Sequence, residues 1–444
     1  MNCLTLKVLK KSSLKNKLNI NSKTLKIILI ILLAIFVSIP ESLISAKEIT
    51  VDPAGQINLI KEALRISEDG DRILIKSGYY KEYDLIAEKR VEIIGEEGSL
   101  IDIDFKGDGI ILRKDSSSVS GLTIKNMVVS YIKDIAGIKL EKSNFSKVFN
   151  NRLFDTFFSI YLENSSDCLV SGNTIVGNAA TETSSGNGIH LWKCKNVMIE
   201  NNYISGQRDG IYLEFVDFSI VRNNFSEKNL RYGLHFMYAD SNSYSHNTFK
   251  NNGAGVAVMY SEKIEMTHNT FIHNWGAASF GILLKEIRRS KIFGNIFIEN
   301  TTGIYMEGCN DIYLFENDFI KNGWALKIMG SCSDNFLERN NFIENTFDIS
   351  SNSSRNSNFY DSNYWDKYGG YDINKNGTGD VPYRPVSLYS MMLEKMPDAI
   401  ILLRSFIVDL IDITEKAMPV FIPESLADQN PKMSKYEFNI YDKN

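Results

Sequence analysis

The chain has 444 residues, 43% of them hydrophobic, a net charge of −5 and five cysteines. At this length two or three ordinary domains are the default, an expectation that fails when a chain is built from short repeats. The acidic balance argues against nucleic acid as a partner and fits cations or a basic protein surface, and the lack of any Cys-x-x-Cys pair sets aside zinc-ribbon and dithiol chemistry.

Lys7, Lys10, Lys11, Lys15, Lys17, Lys23 and Lys26 precede an apolar run over residues 27 to 39. At about a dozen residues the run is too short to span a bilayer comfortably, so residues 1–46 read as a signal peptide ending at Ile44-Ser45-Ala46; an uncleaved anchor is the alternative. Cleavage removes those seven lysines and Glu41 and takes the net charge from −5 to −11. Cys168, Cys194, Cys309 and Cys332 survive it. Cys309 and Cys332 fall near matching positions of successive repeats, a spacing compatible with one disulfide. Residues 47–106 read as an N-terminal cap and first coils, with a short capping helix expected around residues 57 to 64.

From there a repeat is plain. Gly188-Ile-His-Leu, Gly210-Ile-Tyr-Leu, Gly233-Leu-His-Phe, Gly255-Val-Ala-Val, Gly281-Ile-Leu-Leu and Gly303-Ile-Tyr-Met lie 22, 23, 22, 26 and 22 residues apart, with weaker copies at Gly109, Gly137, Phe158 and Ala325. A second signature, Asn201, Asn223, Asn247, Asn269, Asn295 and Asn317, follows each glycine by about fourteen residues and is itself followed two residues on by Tyr or Phe. A unit of this length has room for three short strands and three turns, whereas the usual helical repeats need longer units. Equivalent residues then stack about 4.8 Å apart, and inward asparagines form a hydrogen-bonded ladder along the axis. The expectation is an all-β solenoid, a right-handed parallel β-helix of about ten coils over residues 107–362, followed by an Asn/Asp/Gly-rich closing segment, 363–387.

Strand alternation sorts the side chains that could carry chemistry. Counted from each glycine, the second position holds His190, Tyr212, His235 and Ala257 and the fourth holds Trp192, Glu214, Met237 and Met259, all expected to face solvent on one wall. His235, Met237 and Met259 would converge there, and an imidazole with two thioethers suits copper(I); adaptable interface residues are the alternative. His246 and His268 occupy equivalent positions on adjacent coils, suited to sharing a metal ion or to being ordinary surface residues. Asp372, Asn374, Asn376 and Asp380 place oxygen ligands around Gly377 as in the first half of a calcium loop, without its distal Glu, so a structural calcium and a plain turn both remain open. No outward row carries the clustered carboxylates of a glycan-cleaving site, since Glu214 and Glu307 share a row but lie four coils, roughly 19 Å, apart. Beyond residue 388 the pattern turns helical to the end of the chain at 444. Met391, Met392, Met396, Leu403 and Ile407 make this C-terminal extension apolar enough to want a partner, with a cap over the last coil as the other reading.

Arg231-Tyr-Gly-Leu-His-Phe-Met-Tyr238 resembles a signature of the NosD family, as do Gly188-Ile-His-Leu-Trp192, Arg208-Asp-Gly-Ile-Tyr-Leu-Glu-Phe215 and Gly255-Val-Ala-Val-Met-Tyr260. Asn363-Tyr-Trp-Asp366, Gly370-Tyr-Asp372, Gly379-Asp-Val-Pro-Tyr-Arg-Pro385, Leu403-Arg-Ser405 and Asp428-Gln-Asn-Pro-Lys-Met433 continue the resemblance in order, over residues 49 to 433. The resemblance implies a non-catalytic periplasmic protein, associated with the inner membrane through an ABC transporter (membrane subunit and ATPase). With that transporter and a copper-carrying lipoprotein it would mature the copper centre of nitrous-oxide reductase. Asn374 and Asn376 stand where the family commonly has Asp, which weakens the calcium reading, and Lys432 replaces an apolar residue. A carbohydrate-active β-helix enzyme, an epimerase or lyase, and a passive surface solenoid are the rival readings.

Overall fold

Each repeat glycine lies at the start of a strand of alternating apolar residues, and two further strands, of three residues each in most coils, follow before the next glycine. Stacking these triplets in register produces three parallel sheets of 12, 14 and 13 strands that wrap into a right-handed solenoid of about 14 turns. The glycine strands, among them Ile189–Trp192, Asp209–Glu214, Tyr232–Met237 and Ala254–Met259, form the 12-stranded sheet. Within the three sheets every pairing among the described strands is parallel, as in Ile211 with Leu234 and Leu234 with Val256. The computed structural model describes residues 46–130, 132–353, 357–417 and 426–438, so the leader reading over residues 1–45 falls outside the described residues.

The solenoid is longer than the ten coils expected from the glycine signature. Its first rung is already Glu48–Val51, paired with Arg72–Ile75 and then Glu92–Gly95. These early coils lack the glycine and asparagine marks because stacked aliphatics, Ile73, Ile93 and Val119, suffice to fill them. The short helix Ile60–Ile66 interrupts the first coil and buries Ile60, Ala63 and Leu64. Two of its free N-terminal amides, on Ile60 and Lys61, donate to the Glu82 carboxylate at 2.8 and 3.0 Å.

The polar ladder runs through Asn151, Asn173, Asn202, Asn224, Asn247, Asn269, Asn295, Asn317, Asn340 and Asn363. Each as far as Asn340 donates its amide nitrogen to the next amide oxygen at 2.9–3.1 Å, and each also donates to a backbone carbonyl of the preceding coil. Asn201 and Asn223, expected in the ladder, are one residue out of register. They stand exposed at φ 56° and 54° in the left-handed turn that His246, His268 and Gly294 occupy on later coils, a position asparagine tolerates at little cost. Five residues on, a second ladder of Gln207, Asn229, Asn252, Asn274, Asn300, Asn322 and Asn345 serves the next corner. Between the ladders, Phe249, Phe271, Phe297, Phe319, Phe342 and Trp365 stack with ring centroids 4.1–5.4 Å apart. Cys309 and Cys332 stand as free, buried thiols, not as the disulfide their spacing allowed.

The C-terminal extension is helical only in part. Leu388–Lys395, a 3-10 turn at Pro397–Leu402 and Phe406–Ala417 fold back on the end of the 12-stranded sheet, where Tyr389, Leu393 and Val408 cluster with Phe347 and Trp324. Residues 426–433 then return to the solenoid. The fully buried Asp428 accepts from the Asn363 amide at 2.9 Å, its side chain at 3.0 Å and the Trp365 indole at 3.0 Å, ending the first ladder.

Candidate functional site

The 12-stranded sheet breaks its own rule between residues 158 and 237. Outward side chains of a single-walled solenoid should be wet, yet His190, Tyr212 and His235 are 8%, 8% and 4% exposed, against the expectation that this row faces solvent. Two effects bury it. The rings pack along the axis: Tyr161 and His190 have centroids 5.0 Å apart, His190 and Tyr212 4.8 Å, and Tyr212 and His235 4.5 Å at an interplanar angle of 12°. The chain also overhangs them, since the coil joining Ile160 to its register partner Ile189 spans 29 residues, with the excess between Thr174–Val176 and Ile189–Trp192. From that excursion the Asn187 amide nitrogen lies 3.4 Å from His190 Nδ1, and Arg208 Nε donates to the Asn187 oxygen at 3.2 Å.

His235 has the most constrained surroundings. Asp209, with a side chain 0% exposed, receives Arg231 Nε on one oxygen at 2.9 Å and Nη2 on the other at 2.5 Å. Burial alone would raise the Asp209 carboxyl, but Arg231 and His235 outweigh it and hold the group at about 2. His235 Nδ1 faces the same carboxylate at 3.5 Å, an approach too long to count as a full hydrogen bond, and Nε2 is buried with no hydrogen-bond partner. Burial pushes the His235 imidazole below its ordinary value, more than the neighbouring carboxylate pulls it up.

Met237 and Met259 are register partners on adjacent strands, half-buried and one strand position outward of the row. The Tyr212 hydroxyl reaches Met237 Sδ at 3.5 Å, and Glu214, register partner of Met237, lies 3.8 Å from His190 Nε2, which holds its carboxyl below the ordinary range. One face of the sheet thus carries a desolvated imidazole and two thioethers on neighbouring strand positions, donor types that suit a soft ion. Beside it runs an exposed ladder of stacked aromatics, Phe215, Tyr238 and Tyr260.

The other candidates lie elsewhere. His246 and His268 stack at 5.2 Å and 7°, with room made by Gly294, where a Cβ would sit 2.9 Å from the His268 ring. Parallel rings direct their lone pairs side by side, so one ion between them requires a ring to rotate. Asp372 accepts from the Asn376 and Gly377 amides at 3.1 and 2.8 Å, Asn376 from Thr378, and Asp380 from Ile373, so the loop's oxygens already serve its own backbone. In the helical segment Met392, Met396 and Ile407 are exposed, whereas Met391 and Leu403 are half-buried and pack against buried clusters. Among the described residues no group of three or more His, Cys, Asp or Glu is arranged to hold a metal, and no helix is long and apolar enough to cross a membrane.

A family model described as periplasmic copper-binding protein (NosD) matches residues 65–181 and 172–377. The chain belongs to the NosD family. A curated relative from Stutzerimonas stutzeri, named a probable ABC transporter binding protein NosD, is 26% identical over 418 residues, covering 83% of this chain and 88% of the relative. Among solved structures, the catalytic unit of a thermostable GH87 alpha-1,3-glucanase from Streptomyces thermodiastaticus strain HF3-3 matches with a TM-score of 0.57 at 13% identity, over 68% of this chain and 65% of that one. PfbA, a surface adhesin of Streptococcus pneumoniae, matches with a TM-score of 0.53 at 13% identity over 66% and 86%. An enzyme and an adhesin on one scaffold speak to the fold alone, whereas the NosD match extends through the non-repetitive segment around Gly370 and Asp372.

Proposed function

We propose that this chain is a periplasmic, non-catalytic accessory protein that works with an ABC transporter in delivering copper during the maturation of nitrous-oxide reductase. One observation supports the reading: in a chain of a family described as copper-binding, a strand carries a buried imidazole without a hydrogen-bond partner two residues before a methionine whose register partner on the next coil is a second methionine. Copper(I) is held transiently by His235, Met237 and Met259. Half-buried sulfurs on an open wall let the ion exchange with a donor lipoprotein and a recipient, which a closed four-ligand cage would slow. His246 with His268 is a weaker second copper site, and the Asp372–Asp380 loop a weaker calcium site, for the geometric reasons given above. The exposed apolar helix face, Met392, Met396 and Ile407 with Ile401 and Phe406, is the surface for the transporter's membrane subunit, in keeping with the name carried by the Stutzerimonas relative.

Replacing His235 and Met237 together by Ala in a denitrifying host should yield reductase with a copper-deficient catalytic centre. Normal copper content and activity there would reject the site, and normal reductase in a strain lacking the whole chain would reject the function.

A further inference from the structure

Asp209 has no role in a solenoid. It opens a strand of the 12-stranded sheet, is fully buried, and its register partner on the next coil is the aromatic Tyr232, not a polar residue that would extend a ladder. Burying a carboxylate and a guanidinium is expensive even when they pair, and a hydrophobic pair of similar volume commonly does as well. The pair's neighbour gives the reason. Resting on the copper reading above, we propose that Asp209, clamped by Arg231, is the positioning residue that keeps the His235 proton on Nδ1 and so presents Nε2 as the copper ligand.

Three observations converge on this. Neither nitrogen of His235 has a full hydrogen-bond partner, but Nδ1 is the one that faces the Asp209 carboxylate, at 3.5 Å, and no ion-pair partner lies at Nε2 among the described residues. A buried nitrogen without a partner costs on the order of 1–3 kcal/mol, a cost removed once a ligand occupies it. The carboxylate cannot turn away, because both of its oxygens are held by the Arg231 fork. Nor is the ring free to turn: Tyr212 stacks on it at 4.5 Å and Tyr232 lies at 4.8 Å, itself covered by Arg231 at 5.0 Å from the ring centroid. A ring flip would exchange Nδ1 for a carbon and lose the carboxylate. Metal-bound imidazoles are commonly oriented through such a carboxylate at the far nitrogen, which both fixes the tautomer and makes the ligating nitrogen more basic.

The test uses the full chain with its leader removed. In the metal-free protein, nitrogen-15 NMR should find His235 protonated at Nδ1 alone; protonation at Nε2 overturns the proposal without any variant. Asp209→Asn, its fold checked by circular dichroism, should give a mixed tautomer and lower the copper(I) affinity, read by competition with a chromophoric chelator, about 10- to 100-fold. Unchanged tautomer and affinity in Asp209→Asn, with affinity lost in His235→Ala, overturns the positioning role and leaves the copper site standing. Unchanged affinity in His235→Ala overturns the copper site itself, and this inference with it.

Discussion

The asparagine ladder from Asn151 to Asn363 and the ring row from Tyr161 to His235 are both stacks along one axis, yet the first satisfies the amides it buries while the second buries three imidazole nitrogens without hydrogen-bond partners. Ladder residues recur on ten coils. The row lasts four and then dissolves into Ala257, Leu283 and Tyr305, its register partners downstream. Repetition marks what the solenoid needs to stand. Where the repeat is broken and the breach is left unsatisfied, the residues are kept for something other than stability.

Substitutions in the two strips should therefore have opposite effects on stability. Asn269→Leu is close in volume but strands the Asn247 amide and side chain and frees the Tyr244 carbonyl, so urea unfolding should show a loss of about 3–5 kcal/mol. At the ladder's end Asp428→Ala exposes the same donors at one side only. A loss of about 2–4 kcal/mol is expected, with hydrogen exchange fastest in the last coils. Asp348 ends the 12-stranded sheet with one oxygen unpartnered, and burial pushes its carboxyl up from 3.8 to about 6. The folded state thus holds that proton more tightly, and the stability it confers is full below about pH 4 and lost as pH rises towards 6. Asp348→Asn should stabilise by about 1–3 kcal/mol at pH 7–8, a gain that fades to nothing near pH 4 in a series of melting curves. Smallest is His235→Phe, which keeps the ring stack and removes two unsatisfied nitrogens: stability unchanged or raised by about 1 kcal/mol, with copper(I) binding lost. A loss of 3 kcal/mol there would erase the distinction between the strips.

The glycine intervals were enough to reveal the three-sheet solenoid, because a repeat of 22 or 23 residues admits few other folds. The ladder was legible only to within a residue. In Asn201-Asn202 and Asn223-Asn224 either asparagine fits the pattern, and only the backbone sign at the turn separates them. The second ladder was written in the sequence as Asn-x4-Asn, from Asn224 and Asn229 to Asn340 and Asn345, and could have been found there. Burial of the His235 row could not, since it depends on an excursion of the preceding coil and on Arg231 folding over Tyr232, neither of which has a period. Asp209 lies one repeat of 22 residues from Arg231, a spacing that could have paired them, but nothing in the pattern marks the position before a repeat glycine as buried.

A stack built by translation has no intrinsic reason to stop. The last coil offers the same donors and strand edge as any other, and a second molecule's first coil could continue the series as a fibre subunit would. Asp428 arrives from far along the chain with a side chain that, as a carboxylate, accepts and has no hydrogen to pass on, while Lys432 takes the Asn363 carbonyl at 2.9 Å. That exchange of an amide for an acid, with the helices folded over the end of the 12-stranded sheet, gives an otherwise open-ended lattice a definite end.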